Sequence, residues 1–335
     1  EHDARETADF LARLLQGTGA DAGASRQTSV QDVLDTAAAR IREQLADRPV
    51  LGAQLRKALG SAYHSWGAYP QAEELLMEAL ALQRAQADAP SVVEAEILGL
   101  LGVVAHDRGD LSASLDWAQQ EAARWRALGR HAELGTALTG IAISLRALGR
   151  VQQAERTYAE ALAELRAAHG HEHREIAWAL NNLGWLLHAQ GRYAEARPRY
   201  EETLQMQQRL AVAPLETLQT LKNLGGLHYH LGDYDRAESL WKQATAMVDT
   251  IFGDRPHPAR ANMHALRVLI PFDRGDLAAA ERHARSALEV NLAAVGPEHR
   301  RTAADYAILG RVLSASGRFD EAEAALRRSL AIRSA

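Results

Sequence analysis

The chain has 335 residues, 47% of them hydrophobic and 24% charged, with a net charge of −5 at neutral pH. That balance belongs to a folded soluble chain rather than a disordered one, and a slight acidic excess with no long basic run argues against a binder of nucleic-acid backbones. No cysteine is present, which excludes thiol nucleophiles, disulfides, zinc ribbons and iron–sulfur ligation, and no apolar run approaches the roughly 20 residues that a membrane helix needs.

The opening Glu1-His2-Asp3-Ala4-Arg5 lacks the basic and apolar zones of a signal peptide. Without an initiating methionine it reads as the start of an excised fragment. Residues 1–50 read as capping helices and a junction. Ala8 to Leu15 has the pattern of an amphipathic helix, Gly17 to Ser25 that of a flexible break. A second helix starts at Val30 behind Ser29, a plausible N-cap.

From residue 51 to 335 the sequence repeats. Gly67, Gly109, Gly149, Gly191, Gly232, Gly275 and Gly317 follow one another at intervals of 40 to 43 residues. Two residues after each stands an apolar or aromatic side chain: Tyr69, Leu111, Val151, Tyr193, Tyr234, Leu277 and Phe319. Five residues after each stands a small one, alanine except for Ser114. Seven residues before each lie Gly60, Gly102, Ala142, Gly184, Gly225, Val268 and Gly310, small in all but one unit. Small residues at fixed helical positions let two helices approach closely, and a glycine between them ends the first helix in a conformation that a Cβ disfavours. Each unit is therefore expected to be a helix–turn–helix that buries its apolar face only by stacking on its neighbours. Pro271 falls inside the expected first helix of the sixth unit, where it should bend or shorten it. Pro70 sits in a first turn, where proline is tolerated, and Pro49, Pro90, Pro214, Pro256 and Pro297 fall between units.

These offsets resemble the tetratricopeptide repeat (TPR) over roughly residues 50–335. Leu180-Asn181-Asn182-Leu183-Gly184 through Ala196, and Leu221-Lys222-Asn223-Leu224-Gly225 through Ala237, carry the match best. The period exceeds the usual 34 by about eight residues and is similar to that of kinesin light chains, as is His257-Pro258 ahead of a unit. The resemblance implies an all-α, right-handed superhelical TPR solenoid of about seven helix-turn-helix repeats. The stretch from Thr28 to Ile41, followed by Leu45 to Pro49, is also similar to the segment that precedes the repeats in bacterial serine/threonine protein kinases with a TPR tail. That likeness implies a kinase domain upstream, a single membrane helix and repeats facing away from the cytoplasm. In any other context the chain is expected to be cytoplasmic. A glycine-rich phosphate loop, His-Arg-Asp and Asp-Phe-Gly are absent from the chain itself.

Candidate chemistry is sparse. His171-Glu172-His173 and His228-Tyr229-His230 place histidines two apart, whereas a helical zinc pair needs four. They read as structural or surface groups. Gly17-Thr18-Gly19 lacks the spacing of a nucleotide fingerprint, and no Gly-x-Ser-x-Gly elbow occurs. No catalytic residue, metal or cofactor is expected.

In TPR proteins the first helices line the concave face, and residues flanking the small position project into it. Carried onto this sequence, that register implies a ligand groove of Trp178, Asn181, Asn182, Trp185, His188, Lys222, Asn223, Tyr229, His230, Asn262 and Arg311. Amides carry donors and acceptors for a peptide backbone, and aromatic rings offer apolar anchors. Packing between repeats is the competing reading for Trp178 and Trp185. The Lys/Asn/Arg clamp of chaperone-binding relatives is not reproduced, because Gly226 stands where it wants asparagine. The leading functional expectation is a non-catalytic protein–protein interaction module, the sensory or recruiting tail of a larger signalling protein. It binds a protein or peptide partner, with no nucleic acid and no membrane contact. The rivals are a small-molecule or peptide-sensing regulator and a scaffold that self-associates through its end helices.

Overall fold

The structure is a computed structural model that describes residues 30–86 and 90–334. The helix expected at Ala8–Leu15, the break at Gly17–Ser25 and the Ser29 cap lie outside the described residues. Every regular element among those described is an α-helix. The chain divides into two compact units, Glu1–His171 and Glu172–Ala335.

In the first unit α1 (Val30–Gln44) precedes three helix pairs: α2 (Pro49–Ser65) with α3 (Tyr69–Arg84), α4 (Val92–Asp107) with α5 (Leu111–Ala127), and α6 (His131–Ala147) with α7 (Val151–His169). Ala38 and Ile41 of α1, with Leu45 just past its end, are buried in one apolar cluster with Leu55, Leu59 and Tyr63 of α2. The second unit holds four pairs: α8 (Arg174–Ala189) with α9 (Tyr193–Arg209), α10 (Pro214–His230) with α11 (Tyr234–Phe252), α12 (Pro258–Arg267) and α13 (Leu269–Asp273) with α14 (Leu277–Val295), and α15 (Arg300–Ala315) with α16 (Phe319–Ser334). Within each unit the second helix of one pair also packs on the first helix of the next.

All seven turns are built alike. Each turn glycine has φ between 74° and 87°, the left-handed region that only glycine enters freely. The residue after it donates its N–H to the carbonyl five residues back, as Arg192 does to Leu187 and Asp233 to His228, at 2.8 to 3.0 Å in all seven. That closes the frayed end of the first helix. The next residue opens the second helix, and all seven second helices begin at the apolar residue two past the glycine. Asp110, Asp233 and Asp276 cap them through their carboxylates. His173, His257 and His299 cap first helices in the second unit, each accepting through Nδ1 from the amide two residues on.

Packing across each pair follows residue volume. Gly184 lies under the Tyr200 ring, where a Cβ would come within 2.9 Å of it, and Gly225 lies under Trp241 more tightly still. Gly60 meets Leu76 and Gly310 meets Leu326 in the same way. In the sixth pair the sizes are exchanged. Val268 stands at the small position, and Ala284, in the place of Tyr200 and Trp241, is fully buried in one cluster with it. The substitution that breaks the sequence pattern is thus compensated across the pair.

Pro271 acts as its chemistry requires. It has no N–H to offer the carbonyl of Arg267, and the first helix of the pair stops at Arg267 and resumes at Leu269. Pro198 sits inside α9, yet that helix runs unbroken from Tyr193 to Arg209. Pro198 and Ala194, whose carbonyl it deprives, are exposed, so that carbonyl is open to solvent rather than buried without a donor. Pro271 is half-buried.

Candidate functional site

Every residue of the expected groove falls in the second unit, on α8, α10, α12 and α15, the first helices of their pairs. On α8 a stripe at helical spacing remains open: Trp178 and Trp185 are 39% and 40% exposed, with half-buried Asn182 between them. About two fifths of each tryptophan stays open, and the rest is covered. Their neighbours Ala177, Leu180, Leu183 and Leu187 point to the opposite side and are buried, so the stripe is held on a rigid apolar backing.

The asparagines do not act alike despite their equal register. Asn182 donates Nδ2 to the Trp178 carbonyl at 2.9 Å, within its own helix. Asn223 donates Nδ2 to Asn181 Oδ1 at 3.2 Å and accepts from Gln219 Nε2 at 2.8 Å. Thr220 also donates to Asn181 Oδ1, at 3.5 Å. These bonds make a short amide ladder joining α8 to α10, in which Asn181 accepts and Asn223 both donates and accepts, while Asn182 keeps to its own helix. Amide groups carry two donors and two lone pairs, so ligand-binding capacity remains, above all at Asn182.

Nearer the turns a second cluster forms from rings. His188 lies edge-on to His230 with centroids 5.2 Å apart, and His230 stacks on Tyr193 at 5.7 Å and 5°. Tyr229 contacts His230 at 5.2 Å and Tyr234 at 5.7 Å. Burial, with His230 beside it, holds the His188 imidazole below its usual pKa. The Tyr229 hydroxyl donates to Asp273 at 2.6 Å, and Tyr234 reaches the same carboxylate at 3.2 Å. Burial and then that bond push the Tyr229 phenol up to about 12.

Of the remaining residues, Lys222 and Arg311 border these clusters. Asn262 is exposed on α12. Arg311 lies over the Phe272 ring at 5.8 Å. Lys222 is half-buried and reaches Gln219 Oε1 at 3.4 Å. Burial, then the positive charge of Arg301, lowers its pKa. Sequence reasoning missed Gln219, Thr220, Phe272, Asp273 and Arg301. Phe272 had a usable signal, since it stands three residues before its turn glycine, as His188 and Tyr229 do. Arg301 had none, because its tie to Lys222 crosses an intervening pair.

Of the histidine groups, His173 is a helix cap, His228 is buried and His230 belongs to the ring cluster. Among the described residues no helix is long and apolar enough to cross a membrane.

Comparison with known proteins agrees with this architecture. The family described as tetratricopeptide repeat matches residues 93–163, 133–209 and 267–335, and a second profile of the same description matches 181–250. No curated protein matches the chain. Among solved structures, BtubC (BKLC) from P. vanneervenii is similar at 22% identity and a TM-score of 0.58, over 67% of this chain and 92% of that one. The apo form of the quorum sensor NprR from B. thuringiensis is similar at 13% identity and a TM-score of 0.69, over 99% of this chain and 95% of that one. The Rap conjugation gene regulator of the plasmid pLS20, in complex with the Phr* peptide, is similar at 16% identity and a TM-score of 0.63, over 100% and 85%. At these identities the likeness is one of fold.

Proposed function

We propose that this chain, which belongs to the tetratricopeptide repeat family, is a non-catalytic interaction module that binds an extended peptide or protein segment on the first helices of its second unit. The observation that carries the reading is the open stripe of α8, two partly exposed tryptophans flanking Asn182, continued on α10 by the amide ladder. A segment lying there pairs its backbone with the amides and sets an apolar side chain between the indoles. Large exposed rings on a rigid backing are the groups that dominate binding energy in interfaces. Peptide binding by a similarly folded protein, the Rap regulator with its Phr* peptide, supports the fold's suitability.

The test uses peptides selected from a random display library on the immobilised chain, with affinities measured by calorimetry. A hydrogen bond lost from a desolvated amide costs roughly 1–3 kcal/mol, so Asn182→Ala with Asn223→Ala should weaken binding about tenfold or more. Trp185→Ala should do at least as much, with the helical spectrum intact because its side chain is part-exposed. Unchanged affinity in both variants would place the ligand elsewhere.

For context, we assign the module to a larger signalling protein of the serine/threonine kinase type, as its recruiting tail. The support is the junction-like stretch from Thr28 to Pro49. The coding sequence ahead of Glu1 decides this. A catalytic His-Arg-Asp and Asp-Phe-Gly pair there supports the assignment, and a reading frame without them overturns it.

A further inference from the structure

The sixth pair is polar where the others are apolar. Eight residues before the turn glycine stand Leu59, Leu101, Ile141, Leu183, Leu224 and Leu309, each of them buried. In the sixth pair that position is Arg267. Eleven residues before the glycine stand Leu98, Leu138, Leu180 and Leu221, again buried, and in the sixth pair His264. The first pair carries Arg56 there, and Glu78 answers it at 2.9 Å. Arg267 has no such answer. It is half-buried and makes no ion pair and no hydrogen bond among the described residues. His264 keeps a buried Nδ1 without a hydrogen-bond partner. Polar groups in the place of leucine weaken a packed pair unless something meets them, so they point to a partner from outside the chain.

Arg267 lines a cavity of about 170 Å³ between α11, the two pieces of the broken helix and α14. Trp241, Ile270 and Pro271 give the cavity an apolar wall, and His283 joins Arg267 as a polar group. The other charged groups along it are occupied. Glu238 pairs with Lys242 at 3.0 Å, and Asp276 caps α14 through the Ala279 amide at 2.9 Å. Arg274 lies 3.6 Å from Asp235 and over the Tyr234 ring. The His264 ring stands 6.0 Å from that of His283. Burial, then Arg267, His264 and Arg282, opposed by Glu238, push the His283 imidazole down to about 4. At neutral pH it is an uncharged N–H donor.

A guanidinium takes a carboxylate through two parallel hydrogen bonds, and the imidazole N–H can add a third. The apolar wall suits the body of such a molecule. At roughly 30 Å³ for each water-sized group, the space fits a small molecule and not a peptide. A second negative charge, as on phosphate, would meet Glu238 and Asp276. We propose that this cavity binds a small organic monocarboxylate, its carboxylate on Arg267 and His283 and its body against Trp241, Ile270 and Pro271. The site shares no residue with the groove proposed above, and the two stand or fall separately.

The probes are benzoate and 3-methylbutanoate, with benzamide, 3-methylbutanamide and inorganic phosphate for comparison, each titrated into the full chain at pH 7 by calorimetry. At least one carboxylate should bind saturably, about tenfold or more tighter than its amide and than phosphate, and should raise the melting temperature of the chain. Arg267→Leu installs the residue that most other pairs use. It should melt no lower than the parent chain and weaken the carboxylate about tenfold or more, so that the loss of binding is not a loss of fold. Arg267→Gln should weaken it as much, and carries the test if the leucine is not accommodated. Asn182→Ala with Asn223→Ala should leave the affinity for the carboxylate unchanged. No saturable binding by either carboxylate, an amide or phosphate that binds as tightly, or an unchanged affinity in either folded Arg267 variant overturns the proposal. A loss in the asparagine double variant as large as that in Arg267→Leu would put the carboxylate in the groove and also overturns it.

Discussion

Glu121 on α5 shows how one residue couples burial to pH. Its carboxyl accepts a hydrogen bond from Trp125 Nε1 at 3.1 Å and faces Gly99, where a Cβ would lie 2.8 Å from its Oε1. Burial, only partly offset by that bond, raises its pKa from 4.5 to about 7. The sign follows from proton counting. Between those two values the folded chain holds a proton that the unfolded chain has lost, so this contribution to stability is full below 4.5 and is gone once the pH passes 7. Glu121→Gln keeps the shape without the charge. Its stability should exceed that of the parent chain at pH 8 by up to about 3 kcal/mol and match it near pH 4. Denaturant melts at both values check this, and parallel pH profiles for the two proteins would refute it. His283 on α14, pushed down to about 4 by burial and by Arg267, works in the opposite direction: its contribution is lost as pH falls from 6.5 toward that value.

Helix pairing shows what a repeat must preserve. The pairs Gly184 with Tyr200 and Gly225 with Trp241 place the volume on the second helix, while Val268 with Ala284 divides it the other way. Gly225→Val should therefore cost about 1–3 kcal/mol through overpacking against the indole. Trp241→Ala alone should cost about 3–5 kcal/mol as a cavity. Together they rebuild the arrangement of the sixth pair, so the double variant should be less destabilised than the sum by at least about 1 kcal/mol. Additive losses in chemical denaturation would show that the two volumes are independent. This pairing also marks the limit of what a sequence displays. The turn glycines and the apolar residues that open the second helices are legible because each requirement is local, met within a few residues of chain. Val268 reads as a defect until Ala284, sixteen residues on, is seen beside it. Asn182 and Asn223 share a register position, yet the partner of each depends on what the neighbouring helix offers. The Trp178 and Trp185 stripe could be placed from spacing. The relation of Lys222 to Arg301 depends on how pairs stack, which spacing does not encode.

At the scale of the whole molecule, a repeat array is stabilised by links between neighbours, with no single core to hold distant parts together. In the second unit the last pair packs on the helices of the sixth, α12, α13 and α14, so what holds it passes through that pair. That pair has its first helix divided into pieces of ten and five residues, and short helices lean on their surroundings more than long ones do. Amide exchange should therefore be faster by about tenfold or more in residues 258–273 than in 174–189 or 214–230, with 300–334 released in the same step. Uniform protection across the four pairs would count against a weak link. The break has a further consequence for signalling. Asn182 and Asn223 of the proposed groove precede it, and Arg311 follows it. A segment long enough to reach from one side to the other would act as a tether across the interruption and lower, by mass action, the population of the state in which the last pair has come loose. Occupancy would then be legible far from the ligand, as slowed exchange in the terminal pair, and the end of the array would carry the news of binding to whatever adjoins it.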